Sequence, residues 1–482
     1  MDVYKMFNWG LLTITFGLLI YLGYLSSKYM NKSEEGGFLL AGRSLGPFVA
    51  AGTIVATGFS GWGFMGSPGV TYQFGAIEVL GNFFFAPAMM IAVLYFAKFL
   101  QHRALEMGSN TIPEYIAQSH GSGAMGRVLQ GVSAFITILL LLVFLTSQIK
   151  AVGLLGAGWL GIELNQSAFL MVSVIIVYTM MGGLAAVAWT DTVMVCGMAL
   201  AAVIILVQML TSVDIGTWEA SLNAIDPELL NPTTGAHYGD SIGTVFLVLP
   251  YAFLFASVLP YMAVRFLAMK PDVKLHKVGV YVAILGALLS LIPIVGLYVR
   301  MQVPDLADPD MAMPVYLERF MHPAIQGVIT LFIIFAMKST ANSLLHTVAS
   351  ATSHDLRLSL FGSKAGMGQA LMINRLAVLV LGIVALLMML YAPPFMLSWL
   401  GILGSGTLLA SMIGPVFIST FWQGSAWGAL TAMLAGFFIS GYMMLFSDVG
   451  WLIGPLTGCV VSAACYVGVS LVTRRRKFIQ LT

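Results

Sequence analysis

The sequence predicts an all-α integral membrane protein in which about thirteen transmembrane helices form one bundle. Of its 482 residues, 59% are hydrophobic and only 9% are charged, and the mean hydropathy is +0.93. Runs of about 20 apolar residues, long enough to cross a bilayer as a helix, recur from one end of the chain to the other. No long polar linker separates these runs, so we expect a single bundle rather than separate domains.

The individual spans follow from the length that a helix needs to cross the hydrocarbon core. The first run lacks a basic leader and a small-residue cleavage site, which favours a retained helix over a signal peptide. In chain order, the predicted spans are 9–27, 45–70, 76–100, 125–158, 166–184, 188–213, 241–270, 274–301, 323–355, 371–392, 395–421, 426–445 and 450–472.

The second span carries the strongest functional signal, because glycines interrupt an otherwise helical run. Each glycine destabilises a helix interior by about 1 kcal/mol relative to alanine. The glycines of the stretch 50–69 are Gly52, Gly58, Gly61, Gly63 and Gly66. A chain in lipid tolerates unwound backbone only where that backbone lines a cavity. Ser60 and Trp62 lie at the same point, so the pattern predicts a broken helix that holds a ligand. Close helix packing is the alternative role for these glycines.

The distribution of charge predicts the orientation of the chain. Basic residues concentrate in cytoplasmic loops, and the sequence has the basic run RRRK at 474–477. The segment 214–240 carries five acidic residues and no lysine or arginine. With an odd number of spans, we expect an inner or plasma-membrane protein with its N-terminus outside and its C-terminus in the cytoplasm. The loops that would then be cytoplasmic carry Lys28, Lys32, Arg43, Arg103, Lys270, Lys274, Arg357 and Lys364.

The spans also divide into two similar halves. Residues 45–213 and 241–421 each contain about five spans, and the first span of each half is interrupted, in the second half by Ala256, Ser257 and Pro260. Paired interruptions of this kind point to the binding site of a transporter. The remaining units are 1–44, an extra helix with a cytoplasmic loop; 214–240, an outside acidic loop; and 422–482, two further helices with the basic tail.

Six ordered motifs resemble those of the sodium:solute symporter family, which includes proline, pantothenate and sugar symporters. They are Ser60-Gly61-Trp62 followed by Gly66, Pro68 and Gly69; TIPEY at 111–115; YTMMGGLAAVAWTD at 178–191; Pro260, Arg265 and Phe266; FAMKSTANS at 335–343; and Asp355-Leu356. The layout is nearest to the pantothenate and proline branches. The resemblance implies a LeuT-type fold of five plus five inverted helices, and a symporter that works by alternating access and is usually coupled to sodium.

A sodium site is expected where hydroxyls share one face of a helix. Ala336, Ser339 and Thr340 are spaced i, i+3 and i+4, which places them on one side at about 100° per residue. By resemblance, this face lies against the break in span 45–70, where the carbonyls of Ala56 and Phe59 would complete the site. The alternative is that both hydroxyls bond back to their own helix.

Two residues depart from the family and argue against sodium coupling. Lys338 stands near the centre of its span, where a charge costs several kcal/mol. Its ammonium either replaces the cation or points into the bundle and bonds to a carboxylate or to backbone carbonyls. Its angle of about 200° from Ala336 favours the second role. Gly58 occupies a position where proline-type members carry an acidic side chain. A proton-coupled or uncoupled carrier therefore stays open.

The substrate is expected to be a small carboxylate, amino acid or vitamin-like anion. Lys150 lies in the outer half of its span and either binds a substrate carboxylate or extends toward the outer surface. The remaining candidate binding residues, at the two breaks, are Ser60, Gly61, Trp62, Tyr251, Phe253, Ser257 and Tyr261. Ala252 and Ala256 replace aromatic residues of proline-type members, which argues against proline itself. Asp191 is a candidate coupling residue on the ion's exit path, together with Lys338.

The other residues indicate no further chemistry. The cysteines Cys196, Cys459 and Cys465 match neither a disulfide framework nor a zinc site. A Gly-x-Gly-x-x-Gly run at 121–126 follows no predicted strand, so we expect no nucleotide or other organic cofactor. We expect no catalytic activity and no nucleic-acid partner, contacts with membrane lipid, and a monomer or weak oligomer. A membrane sensor built on a transporter fold is the alternative outside transport.

Overall fold

The computed structural model describes residues 3–29, 39–121, 123–362, 367–391, 393 and 395–479. Lys32 and Lys364, which entered the orientation prediction, lie outside these residues, as do the side chains of Lys28 and of 474–477. The helices are α1 Val3–Tyr29, α2 Pro47–Gly58, α3 Trp62–Phe74, α4 Ile77–Met107, α5 Ile112–His120, α6 Ala124–Leu160, α7 Leu164–Ser212, α8 Ile215–Ile225, α9 Ile242–Val258, α10 Pro260–Ala268, α11 Leu275–Leu289, α12 Ile294–Gln302, α13 Ala312–Phe320, α14 Pro323–Phe361, α15 Met367–Tyr391, α16 Leu397–Phe421, α17 Ala426–Phe446 and α18 Ile453–Ile479.

The number of membrane spans is close to the predicted one. Among the described residues, ten helices are long and apolar enough to cross a membrane, and two further spans are bent helix pairs. Leu164–Val177 is a shorter apolar helix. The predicted joint at 184–188 lies slightly earlier, at Gly183, whose φ of 58° and ψ of −177° interrupt α7. Glycine adopts this positive φ without the steric cost that a side chain brings.

Both predicted helix breaks are present, and each has a local cause. Between α2 and α3 the helix axis turns by 49°, and Phe59 leaves the helical region with a ψ of 71°. Between α9 and α10 the axis turns by 58° at Leu259, which has a φ of −65° and a ψ of 126°. The residue before a proline avoids helical geometry, so Pro260 fixes the second break at Leu259 rather than at Ala256-Ser257.

The two breaks are enclosed by the central helices. The buried helix α14 packs along α6 and α7, and α2 packs against α7 and α14. This arrangement brings the hydroxyl-bearing face of α14 to the end of α2. On the other side of the break, α3 lies near α4, α9 and α16, and these helices leave a small cavity between them.

The acidic segment 214–240 folds back onto the helices instead of extending away from them. It contains α8 and two short turns, Pro227–Leu229 and Ala236–Tyr238. The Trp451 backbone N–H donates to the His237 carbonyl at 2.8 Å. This contact ties the end of the segment to the connection between α17 and α18, so that both cover one end of the cavity.

Candidate functional site

The hydroxyls expected to bind sodium lie against the end of α2. Ser339 Oγ donates to the carbonyl oxygens of Ala56, at 2.7 Å, and Ala336, at 3.0 Å. Thr340 Oγ1 donates to the carbonyl of Thr57 at 3.0 Å and lies 3.4 Å from that of Ala336. The hydroxyls thus bond back to their own helix, as the alternative predicts, and also join it to the broken helix.

This oxygen cluster is chemically suited to sodium. Its three carbonyls and two hydroxyls carry no formal charge, and unwound or helix-terminal carbonyls are the usual sodium ligands in transporters with broken helices. Phe59, the remaining predicted ligand, lies at the break, with its buried ring 5.8 Å from that of Phe85. The hydroxyls reach the carbonyls of Ala56 and Thr57 rather than that of Phe59.

A buried ion pair lies directly next to this cluster. Arg265 on α10 and Asp191 on α7 are 1% and 0% exposed, and Arg265 Nη2 lies 3.5 Å from Asp191 Oδ2. The same Nη2 donates to Thr57 Oγ1 at 2.7 Å. Thr57 therefore faces the oxygen cluster with its carbonyl and the ion pair with its hydroxyl. Asp191, which we expected on the ion's path, contacts the hydroxyl of Thr57, whose carbonyl belongs to the oxygen cluster.

Sequence reasoning missed most members of this network. Thr53 Oγ1 donates to Asp191 Oδ2 at 2.7 Å and accepts from Arg265 Nε at 2.9 Å. Ser343 Oγ accepts from Arg265 Nη2 at 2.5 Å. One available signal was the i, i+4 spacing of Thr53 and Thr57 in an otherwise apolar helix, because that spacing places both hydroxyls on one face.

The cavity lies on the opposite side of the first break, and its lining combines aromatic, aliphatic and small polar residues. Among the predicted substrate residues, Ser60, Trp62 and Tyr251 line it. Phe255, one turn after Tyr251 on α9, also lines it and was not predicted. Trp62 and Phe255 each pack on Phe85, at 5.3 Å between ring centroids. Residues four apart share a helix face, which explains why Tyr251 and Phe255 line the cavity together.

The other predicted residues at the breaks lie in the surrounding packing. Gly61 donates its N–H to Gln148 Oε1 at 2.9 Å. Phe253 packs edge-on to Phe417, and Ser257 Oγ donates to the Phe253 carbonyl at 2.7 Å. The Tyr261 ring lies between those of Phe144 and Phe255, each 5.9 Å away. These four residues support the cavity wall or its neighbours rather than line the cavity.

Lys150 is paired with a residue of its own chain. Its Nζ lies 2.8 Å from Asp310 Oδ2 and donates to the Phe395 carbonyl at 2.9 Å. Asp310 is fully buried in a short turn before α13, and burial raises the pKa of its carboxyl, while the Lys150 ammonium opposes that rise. The same Asp310 oxygen accepts from the N–H of Leu397, the first residue of α16, at 3.0 Å.

The end of the cavity nearest the acidic segment contains a buried carboxylate. Glu78, 1% exposed, accepts hydrogen bonds from Ser67 Oγ and Tyr238 OH, both at 2.6 Å. His237 Nε2 lies 2.9 Å from the second carboxylate oxygen. Burial and the Glu78 carboxylate raise the pKa of the Tyr238 hydroxyl well above its ordinary value, so the phenol stays protonated and donates.

Lys338 faces away from the ion cluster but lacks the partners that we expected. Its side chain is 3% exposed, and Nζ lies 4.3 Å from the ring centroid of Phe16 on α1. Within the described residues, Nζ has no hydrogen-bond partner. The prediction of a carboxylate or carbonyl partner was therefore wrong. The reason is that α1 packs beside α14 and presents the aromatic face of Phe16 to the ammonium, a cation–π arrangement.

Comparison with known proteins identifies the fold and the family. The structure is similar to that of a Na⁺-coupled sialic acid symporter in a substrate-bound outward-open state, with a TM-score of 0.76, 18% identity, and coverage of 96% of this chain and 98% of that one. It is also similar to Mhp1, a nucleobase-cation-symport-1 family transporter, with a TM-score of 0.56, 17% identity, and coverage of 90% of this chain and 94% of that one. These likenesses show the LeuT-type fold.

Relatives in sequence match over nearly the whole chain. The osmoregulated proline transporter OpuE of Bacillus subtilis is 29% identical over 445 residues, which cover 88% of this chain and 86% of that protein. A sodium/pantothenate symporter of Haemophilus influenzae is 26% identical over 452 residues, which cover 90% of each. The model of the sodium:solute symporter family matches residues 38–436. This chain therefore belongs to the sodium:solute symporter family.

Proposed function

We propose that this protein imports a small organic solute, a carboxylate, amino acid or vitamin-like anion, together with sodium by alternating access. Sodium-coupled symport of a small solute is the function of its family, and named relatives carry proline and pantothenate. The observation that carries the proposal is that the first break contacts the oxygen cluster on one side and the cavity on the other. Ala56 and Thr57 meet the hydroxyls of α14 on one side, and Ser60 and Trp62 line the cavity on the other.

This arrangement supplies a physical basis for coupling. Sodium held by the carbonyls of Ala56 and Thr57 and by the hydroxyls of Ser339 and Thr340 would fix the end of α2 against α14. A solute in the cavity would meet the same broken segment only a few residues later, at Ser60. Each ligand then orders backbone that the other needs, and such coupling raises both affinities by the same factor.

The proposal also assigns roles to the buried ion pair and the orientation. Asp191 and Arg265 lie next to Thr57 and are not among the residues that line the cavity, so an ion leaving the cluster would meet the Asp191 carboxylate. The basic tail at 474–477 and the acidic segment 214–240 support a cytoplasmic C-terminus. The cavity end covered by His237 and Tyr238 would then face outside.

Uptake into proteoliposomes tests this function. A panel of labelled amino acids, carboxylates, vitamins and sugars is offered with an inward sodium gradient, and with potassium in its place at the same pH. We expect at least one carboxylate-bearing solute to accumulate only with sodium. Equal uptake in sodium and potassium would instead assign a proton-coupled or uncoupled carrier. Absence of counterflow for every solute that binds would assign a sensor.

A further inference from the structure

Ser398 is a buried cavity residue whose hydroxyl is unused. It is the second residue of α16, lines the cavity and is 1% exposed. Within the described part of the chain, its Oγ has no hydrogen-bond partner. A buried hydroxyl usually has one, so an unpartnered hydroxyl that lines a cavity indicates a group supplied by a ligand.

The start of α16 offers further donors at the same place. The first N–H groups of a helix have no acceptor within it, and the helix dipole favours negative charge there. The Leu397 N–H is bonded to Asp310, and the Leu400 N–H to the Met396 carbonyl at 3.1 Å. The N–H groups of Ser398 and Trp399 lie between them, in the first turn. Because Lys150 neutralises Asp310 at 2.8 Å, this carboxylate does not cancel the positive helix end.

Gly66 lets the first broken helix approach this position closely. A Cβ atom at residue 66 would lie 2.5 Å from Ser398 Oγ and 3.3 Å from the Ser398 nitrogen. Both distances are too short for ordinary contact, so any side chain at residue 66 would press on the hydroxyl and the first turn of α16. The glycine thus allows α3 to pack directly against the start of α16, and a larger residue there would displace Ser398.

A second cavity residue, Glu78, favours a positively charged group instead. Glu78 also lines the cavity, and it accepts a hydrogen bond from Ser67, the residue after Gly66. The described lining includes no lysine or arginine, and its basic side chain, His237, lies with Nε2 2.9 Å from the Glu78 carboxylate. A carboxylate in a cavity with aromatic walls favours a positively charged ligand group, through charge and through cation–π contact.

We propose that the cavity takes a compact zwitterion, with the ligand carboxylate at Ser398 and the first turn of α16 and the ammonium group toward Glu78. This inference rests on the proposed transport of a small organic solute and narrows its substrate class. In this arrangement Ser398, rather than Lys150, binds the carboxylate of the ligand. Lys150 becomes a positioning residue that neutralises Asp310 and so preserves the positive helix end.

The test uses matched probes on the full-length purified chain in sodium. The zwitterions are alanine, proline and leucine; the cations are their amides; and the anions are propionate, cyclopentanecarboxylate and 4-methylpentanoate. The half-saturating concentration of each is read from thermal stabilisation and from inhibition of sodium-driven uptake. For at least one skeleton, we expect the zwitterion to act at a concentration about tenfold below both its amide and its acid.

Two variants test which residue binds each charged group of the ligand. Ser398→Ala should raise the half-saturating concentration of the zwitterion by about tenfold and that of the amide by less, because a neutral amide carbonyl accepts a weaker hydrogen bond than a carboxylate. Because the hydroxyl makes no hydrogen bond within the described residues, the melting temperature without solute should not change. Glu78→Gln removes the negative charge, so the half-saturating concentration of the acid should become equal to that of the zwitterion. The matched control is Ser411→Ala on the same helix, since Ser411 is buried and bonds to the Thr407 carbonyl at 2.9 Å.

The outcomes separate the two proposals. If Ser398→Ala leaves zwitterion binding unchanged, or if acids and amides bind as well as zwitterions throughout, the zwitterion site is refuted. Sodium-driven uptake of pantothenate or a sugar in preference to every zwitterion would keep the symporter and overturn the zwitterion. If no solute accumulates with sodium, the proposed function itself fails.

Discussion

Lys338 is the residue at which the structure most changes the expected energetics. A buried ammonium without hydrogen bonds keeps most of its desolvation cost, which a contact with one aromatic ring only partly offsets. The ring of Phe16 lies 4.3 Å from its nitrogen. If the lysine were paired with a carboxylate, its removal would destabilise the protein. In this environment, its removal should stabilise the protein.

Lys338→Met should therefore raise the stability of the protein by about 1–3 kcal/mol. Methionine keeps the unbranched shape and removes the charge. Thermal unfolding in detergent measures the change, and sodium dependence of uptake should stay as in the wild type. Phe16→Leu is the companion variant. It should destabilise the wild type more than the Lys338→Met protein, and equal losses would show that the lysine and the ring do not interact.

Lys150→Met should produce a stability loss that grows with pH. Burial already raises the pKa of Asp310 above its ordinary 3.8, and removing Lys150 removes the charge that lowers it. The folded state then holds this proton more tightly than the unfolded state, so stability falls as pH rises from about 4 through the raised pKa. We expect a larger drop in melting temperature at pH 8 than at pH 5. The exposed cation of Arg319, changed to methionine, should show no such trend.

At the scale of helices, the proposed sodium site depends on contact between α14 and the end of α2. Ser339→Ala and Thr340→Ala each remove one oxygen and one hydrogen bond across this contact. Each should raise the sodium concentration for half-maximal uptake by about tenfold, the effect of about 1.4 kcal/mol. Ser350→Ala, about three turns further along α14, is the control and should leave sodium affinity unchanged. An unaltered sodium response in both Ser339→Ala and Thr340→Ala would remove the cluster as the ion site.

How far the sequence predicts each element depends on whether its cause is local. The breaks were predictable because glycines and Pro260 act on their own backbone and that of adjacent residues. The shared face of Ser339 and Thr340 was predictable from helix geometry alone. By contrast, the partner of Lys150 is Asp310, 160 residues away, and no spacing rule relates them. Phe255, rather than the predicted Phe253, lines the cavity, because packing against neighbouring helices determines which face of α9 is turned toward it.

At the scale of the whole molecule, orientation in the membrane is the property that remains a prediction. Thr217 lies exposed on α8 within the acidic segment. Cysteine at Thr217, in a background with Cys196, Cys459 and Cys465 replaced, should react with an impermeant maleimide in intact cells. A cysteine added after Thr482 should react only after the membrane is permeabilised. The reverse labelling pattern would invert the orientation.

The uncharged ligands of the ion cluster have an electrical consequence. Ala56, Thr57, Ala336, Ser339 and Thr340 offer no negative charge, and Asp191 and Arg265 beside them cancel each other. A sodium ion bound there would keep its full charge as it crosses, and a zwitterionic solute would add none. Each transport cycle would then carry net current, and a membrane potential of about 100 mV would contribute about 2.3 kcal/mol per ion to solute accumulation.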